Sequence, residues 1–360
     1  MSRARDFADL AGSSSNISTV AADSANLDQV ASSYSAGGIT GKNLIINGAM
    51  QVAQRSTSET VGDSATYKTL DRWQIAINGT TAGRATMSRS SDAPNGFGHS
   101  MKFEVTTADT SIASTESFGV YQRIEGQNVQ SLKKGTSDAQ VATLSFYAKG
   151  TPNTYITEFR DASARQVSAT FDVTSSWQRF EIQVPADTTG TITSDNTLGF
   201  LVLFWLHAGT DFTSGTLNTA WAASVNANRM VGCDSLFSAV SNTLQITGVQ
   251  LEVGSQATPF EHRSYGDELA RCQRYYEYIQ YDIGAVAGSS SGRNTRFPYR
   301  LAVDKRSSPT VTISSTSTNR CPVPTASSST QSSVTLKTTN SNTDNDDYTA
   351  AGSFTADAEL

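Results

Sequence analysis

Through the middle of the chain apolar side chains return at every second position, the spacing of strands that lay one face on a core. Trp73, Ile75 and Ile77 alternate with Arg72, Gln74 and Ala76, so Trp73 is expected to point inward. Met101, Phe103 and Val105 do the same against Lys102 and Glu104. Residues 122–149 hold a strand running up to Ile124, a long loop across Leu132, Gly135 and Thr136, and a second strand with Ala142, Leu144, Phe146 and Ala148 on one face. Phe180, Ile182 and Val184 form another inward set, which leaves Trp177 outside or at the strand's start. In residues 244–253 the apolar parity is even at Leu244 and Ile246, then odd at Val249, Leu251 and Val253. A change of parity at a glycine predicts a β-bulge at Gly248.

Other stretches depart from this half-buried pattern. Residues 198–206 are apolar on both faces, whereas antiparallel sheets usually leave one face wet. Leu201, Leu203 and Trp205 are therefore expected to meet a second layer or a neighbouring subunit. After Pro259, residues 266–279 read as a helix with Leu269, Cys272, Tyr276 and Ile279 at 3-4-3 spacing. That stripe packs on the chain's own core or forms a seam between copies. Beyond it, Ser/Thr-rich strands such as 310–313 and 333–338 predict a small C-terminal β-domain with little aliphatic core, which would gain stability from oligomerisation.

The first forty residues differ in character. Asn16-Ile17-Ser18-Thr19-Val20-Ala21 recurs ten positions later as Asn26-Leu27-Asp28-Gln29-Val30-Ala31. So short a repeat cannot bury its own aliphatic side. It is either a solvated tether or an attachment and self-association segment in which Ile17, Val20, Leu27 and Val30 are covered by something else. The chain thus divides into an N-terminal segment (1–42), a β-sandwich (43–263), a connecting helix (264–280) and a C-terminal β-domain (281–360).

At 360 residues there is room for two or three folded units. Charged residues make up 17% of the chain, against about 25% in an average soluble domain, so Ser, Thr, Asn and Gly fill the surface. A net charge of -6 argues against a nucleic-acid surface, which needs clustered Lys and Arg. Cys233, Cys272 and Cys321 are scattered and odd in number, as expected of reduced thiols in a protein made in a cytoplasm. The start, MSRARDFADLAG, has no apolar signal core. Residues 198–206 are the most apolar run, much shorter than the roughly 20 residues a spanning helix needs, so no membrane insertion is expected.

The search for chemistry points away from an enzyme. Gly288-Ser289-Ser290-Ser291-Gly292 matches GxSxG by letters, without the strand-turn-helix context and with no histidine after it. His99, His207 and His262 show no paired spacing, so no metal centre is expected. Asp71, Glu125, Glu158, Asp161 and Glu181 can meet in space as glycosidase carboxylates do, although Glu125 and Glu181 are expected to face solvent. No phosphate-cradling glycine loop is present.

Several segments resemble family 4 and family 9 carbohydrate-binding modules, which are jelly-roll β-sandwiches. They are Asn43-Leu44-Ile45-Ile46-Asn47-Gly48-Ala49-Met50, Tyr121-Gln122-Arg123-Ile124-Glu125-Gly126, Leu132-Lys133-Lys134-Gly135-Thr136, residues 141–149, Trp177-Gln178-Arg179-Phe180 and residues 246–252. A closer resemblance, over nearly the whole chain, is to tail-fibre and related virion proteins of bacteriophages. There a start like residues 43–55 (NLIINGAMQVAQR), a middle like 122–126, and an end like 249–261 followed by 268–276 (ELARCQRYY) occur in one polypeptide. The resemblance implies a homotrimeric virion component with no catalytic residues, attached through Ile17, Val20, Leu27 and Val30 to other tail or connector proteins. It also implies recognition of host surface polysaccharide. Tyr147, Trp177 and Trp221 are the aromatic candidates to stack on sugar. Leu201, Leu203, Trp205, Leu269, Cys272, Tyr276 and Ile279 are the candidates for the trimer interface. The alternative is a capsid decoration or connector-associated protein without receptor binding. The modules often carry a structural calcium on a last-strand acidic residue; Thr247 and Gly248 stand at the corresponding positions, which leaves calcium a weak expectation and no other cofactor.

Overall fold

The computed structural model describes residues 41–79, 81–286, 294–339 and 347–360. The N-terminal repeat with Ile17, Val20, Leu27 and Val30, and the GxSxG-like run 288–292, lie outside the described residues. Asn43–Leu360 is one compact unit, built from two β-sandwiches.

The first sandwich uses β1 (Ser58–Val61), β2 (Gln74–Asn78), β3 (Arg84–Ser90), β4 (Ser100–Thr107), β5 (Ser117–Glu125), β6 (Ala142–Gly150), β7 (Asn153–Asp161), β8 (Arg165–Val173), β9 (Gln178–Val184), β10 (Leu198–Ala208), β11 (Ala222–Ala223) and β12 (Thr243–Val253). One sheet runs β1-β3-β4-β12-β6-β9 and the other β11-β8-β7-β10-β5-β2. All pairings are antiparallel. Take β4 to β10 and β12 as eight successive strands. The first sheet then carries the first, eighth, third and sixth, and the second the fifth, fourth, seventh and second. That is the double Greek key of a jelly roll.

The alternation read in the sequence is what fills the space between the sheets. Trp73, Met101, Phe103, Leu144, Phe146 and Ala148 are fully buried there, joined by Val105, Ala142 and Val184, with Phe180 and Ile182 packed at the margin. The bulge falls where the parity changes. The β12–β6 register slips between Thr247 and Gln250, and Gly248 adopts φ +62°, so Ile246 and Val249 both reach the core.

The doubly apolar strand β10 is covered from both sides by its own chain. Phe200, Val202 and Phe204 face the intersheet core. Leu201, Leu203 and Trp205, expected to meet a second layer or a neighbouring subunit and named for a trimer interface, lie beneath Phe212 and Met230 of the segment after β10, a second layer from the same chain. The sequence reading missed this lid because its apolar residues are single and without period.

The helix ends earlier than its stripe suggested. α1 spans Tyr265–Gln273, capped by the Ser264 side chain accepting from the Asp267 N–H. β13 (Tyr276–Val286) follows almost at once. Leu269, Cys272, Tyr276 and Ile279 therefore do not share a helical face. Cys272 and Tyr276 are buried within the chain, Leu269 is half-buried, and Ile279 packs on the C-terminal core.

The C-terminal domain begins with β13 and continues with β14 (Asn294–Arg300), β15 (Thr310–Asn319), β16 (Thr325–Ser329), β17 (Ser333–Thr339) and β18 (Asp347–Asp357). It forms two three-stranded sheets, β13-β18-β15 and β14-β17-β16. Their core is small and partly aromatic, with Tyr281, Ile283, Leu301, Val334, Leu336, Tyr348 and Phe354.

Candidate functional site

The aromatic candidates divide by position. On β6 the core-facing residues are Leu144, Phe146 and Ala148, so Thr143, Ser145, Tyr147 and Lys149 take the outer face. β9 pairs with it through Tyr147↔Arg179 and ends at Ala148↔Gln178. One step further stands Trp177, beside Lys149, whose ammonium is 5.2 Å from the indole ring. Tyr147 and Trp177 thus share the outer face of the first sheet, both half-buried. Trp221 does not join them. It packs against the sandwich core near Phe200, donates its Nε1–H to Pro185 O at 2.7 Å and lies under Lys134 Nζ at 3.8 Å.

Each aromatic on this face is held by neighbours. The Trp177 Nε1–H donates to Asp92 Oδ1 at 3.3 Å, while Lys149 Nζ sits 2.6 Å from Asp92 Oδ2 and Gln245 Nε2 donates to the same oxygen at 3.2 Å. Lys149, with help from Gln245 and Trp177, holds the Asp92 carboxyl below its ordinary pKa. Tyr147 packs 5.5 Å from Phe97, and Phe97 continues to Phe260 at 5.0 Å and His262 at 5.2 Å. The bulge makes this possible, because a Cβ on Gly248 would come within 2.7 Å of Phe97 and 3.0 Å of Tyr147.

Further along the same two strands, beyond Arg179, lies an open depression of about 380 Å³ lined by Thr143, Glu181, Gln183, Ser255, Gln256 and Ala257. The loop after β12 forms its wall, pinned by Thr143 Oγ1 to Gly254 O at 2.8 Å, Gln183 Nε2 to Ser255 O at 2.7 Å and Arg179 to Thr258 O at 2.7 Å. The face therefore offers ring surfaces, hydroxyls, amides and two exposed carboxylates, Asp92 and Glu181. That set suits a polyhydroxylated ligand: C–H groups against rings, hydroxyls against amides.

Phe97, Phe260 and His262 were not singled out from the sequence. A phenylalanine in the Gly- and Asn-rich run Pro94-Asn95-Gly96-Phe97-Gly98 was the available signal, since such a loop has no core of its own to bury the ring.

Four of the carboxylates considered as hydrolytic partners are committed elsewhere, while Glu181 faces solvent as expected, paired with Arg179 at 2.7 Å. Asp71 accepts from the Gln54 N–H at 2.9 Å. Glu158 is bound by Arg229 at 3.1 Å and by the Trp205 indole N–H at 2.5 Å, and Asp161 by Lys134 at 2.7 Å. Glu125, expected to face water, is fully buried. Both its oxygens accept from Arg274 at 2.8 Å, and Tyr275 donates a further bond at 2.5 Å. Burial opposes ionisation of Glu125, but these partners hold its pKa below the usual value. The error came from reading one strand alone, since the chain returning after β12 covers that side. Thr247, at the position considered for calcium, turns its hydroxyl to His99 O at 2.7 Å.

No family model and no curated protein matches this sequence. Among solved structures the chain is similar to a family 4 carbohydrate-binding module, with TM-score 0.30 and 12% identity over 58% of this chain and 98% of that one. It is also similar to the family 11 module of the cellulase Lic26A-Cel5E of Clostridium thermocellum (TM-score 0.29, 13% identity, 56% of this chain and 98% of that chain). A third is TmCBM61 solved with β-1,4-galactotriose (TM-score 0.29, 13% identity, 59% and 99%). Similarities of this size say nothing of what this chain binds. The jelly-roll assignment rests on its own strand pairing.

Proposed function

We propose that this chain is a non-enzymatic fibre or appendage protein of a tailed bacteriophage that recognises host surface polysaccharide on the outer face of β6 and β9. One observation carries the binding role: Trp177 and Tyr147, separated by thirty positions in the sequence, stand together on the outer face of one sheet, which carries a polar depression further along β6 and β9. The virion role rests on the sequence resemblance. In this reading residues 1–42 attach the protein to the particle and associate its copies as a homotrimer, because the described body covers its own apolar strands.

Binding is tested with a glycan array and then by titration of the best ligand. Trp177→Ala and Tyr147→Ala are each expected to weaken binding at least tenfold, while Trp221→Ala lowers stability and leaves affinity unchanged in the folded fraction. Array binding indifferent to both outer-face substitutions would remove the assignment. Incubation with the bound polysaccharide is expected to release no reducing ends. For association, sedimentation of the full chain is expected to give a trimer and that of residues 43–360 a monomer.

A further inference from the structure

We propose that Asp109, Glu116 and His207 bind a single divalent cation of the zinc class, buried at one end of the first sandwich and separate from the glycan face. Asp109 and Glu116 come from the loop between β4 and β5, and His207 from the end of β10. One ligand atom from each lies within 4.8 Å of the other two. None of the three residues is more than 5% exposed.

Two features distinguish this cluster from an ordinary buried polar group. The first is an unmatched charge. Among the described residues neither carboxylate has a lysine or arginine ion pair; the ion-pair contact of Glu116 is with His207 Nε2 at 3.6 Å. Two buried carboxylates without a cation are costly, and a doubly charged ion beside a neutral imidazole balances them. The second is an unpartnered nitrogen. His207 is fully buried and its Nε2 has no hydrogen-bond partner, while Nδ1 lies 2.7 Å from Ser235 Oγ. An imidazole held through one nitrogen with the other directed at carboxylates is how proteins orient a histidine toward a metal.

The surroundings hold the ligands in place. Asp109 Oδ2 accepts from Thr81 Oγ1 at 2.7 Å and the Ala82 N–H at 2.9 Å, and Oδ1 from the Ser111 N–H at 3.1 Å. Glu116 Oε2 accepts from the Ala113 N–H at 3.1 Å. The Phe237 ring packs 5.4 Å from His207.

Nitrogen among the donors, and only three side chains, fit zinc better than calcium, which takes about six to eight oxygens. Tetrahedral ligands at about 2.0–2.1 Å from zinc lie roughly 3.4 Å apart, close to the 3.6 Å between Nε2 and the Glu116 oxygen. The ion would fasten the β2–β3 loop, the β4–β5 loop and the segment carrying Ser235 and Phe237 to the end of β10.

The test uses untagged full-length protein stripped with a chelator, then titrated with zinc against a chromophoric competitor, with bound metal counted by mass spectrometry. One zinc per chain is expected, undisturbed by millimolar calcium or magnesium, with a rise in melting temperature on binding. Cobalt in its place should show the visible absorption of a four-coordinate ion. Glu116→Gln, which keeps the shape and the Ala113 hydrogen bond, and His207→Gln should each weaken zinc binding at least tenfold; if His207→Gln does not fold, Glu116→Gln decides alone. Tyr147→Ala should bind zinc as the native chain does. No stoichiometric zinc, equal binding by Glu116→Gln and the native chain, or displacement by calcium would overturn the proposal.

Discussion

Single residues fix the pH range and the tolerances of the sandwich. Asp187 is gripped by Arg165 at 2.7 Å and by Lys134. Burial disfavours its carboxylate, but those two partners outweigh it and bring the pKa down to about 2. The unfolded value lies near 3.9, so on acidification the unfolded chain takes up the proton first. The stabilisation is complete above about pH 5 and is lost progressively as pH falls through about 2, amounting to roughly 1–2 kcal/mol once screening by solvent is allowed for. Urea denaturation between pH 2 and 5 should therefore show a flatter profile for Asp187→Asn than for the native protein. A steric counterpart is Gly48, where an added Cβ would sit 2.1 Å from Val249 O. The obstacle is backbone that also donates its Val249 N–H to Gly48 O at 3.0 Å, so it cannot withdraw. Gly48→Ala should lower the urea midpoint by the equivalent of about 1–3 kcal/mol. What was legible at this scale was the inward residue of each strand. Partners distant in sequence were not: Asn47 and Glu268, both in runs that carried the family resemblance, meet through the Asn47 N–H and Glu268 Oε1 at 2.5 Å, and nothing in either run announces the other.

Among the elements, β12 shows how one irregularity serves the core and the surface together. The bulge keeps Ile246 and Val249 inward and, through the missing side chain at Gly248, lets Phe97 and Tyr147 lie against the strand. Gly248→Ala must adopt φ near +62° with a Cβ and push the two rings away, which should cost about 1–3 kcal/mol and weaken the proposed glycan binding along with Tyr147→Ala. Near-UV circular dichroism reads the ring displacement and titration reads the affinity; unchanged values of both would separate the bulge from the site. The bulge was legible because parity is a local signal. The end of α1 was not, because no Gly or Pro marks it and the same spacing of Leu269, Cys272, Tyr276 and Ile279 fits a continuing helix. Three tyrosines between 275 and 278 favour strand over helix, and pairing of β13 with β18 over its full length settles the competition.

For the whole molecule the decisive feature is the joint between the two sandwiches. Arg72 is fully buried, its guanidinium stacked 3.4 Å from the Tyr275 ring, paired with the Glu359 carboxylate and donating to Arg123 O at 2.6 Å. Burial pulls its pKa down, but the Glu359 carboxylate outweighs burial and keeps it raised. Arg55 reaches the same tail, pairing with Asp357 and Glu359 at 3.3 Å while stacking 3.6 Å from Tyr276. Arg306 donates to Ala358 O and Glu359 O at 3.0 Å and also to Asn196 O at 3.0 Å in the first sandwich. The last residues of the chain are therefore the clasp by which a small domain is stabilised against a larger one. Removing one member of a buried ion pair leaves the other uncompensated, at a cost of about 3–5 kcal/mol, whereas replacing both by apolar groups of similar volume is often neutral. Glu359→Ala should thus split a single calorimetric unfolding transition in two, the C-terminal domain melting first. The double variant Arg72→Met with Glu359→Leu should restore one transition, because the sandwiches are then joined by packing instead of charge. A Glu359→Ala protein that still melts in one step would show that the remaining contacts, among them Arg306 with Asn196, Arg55 with Asp357 and Glu125 with Arg274 and Tyr275, suffice to couple the domains.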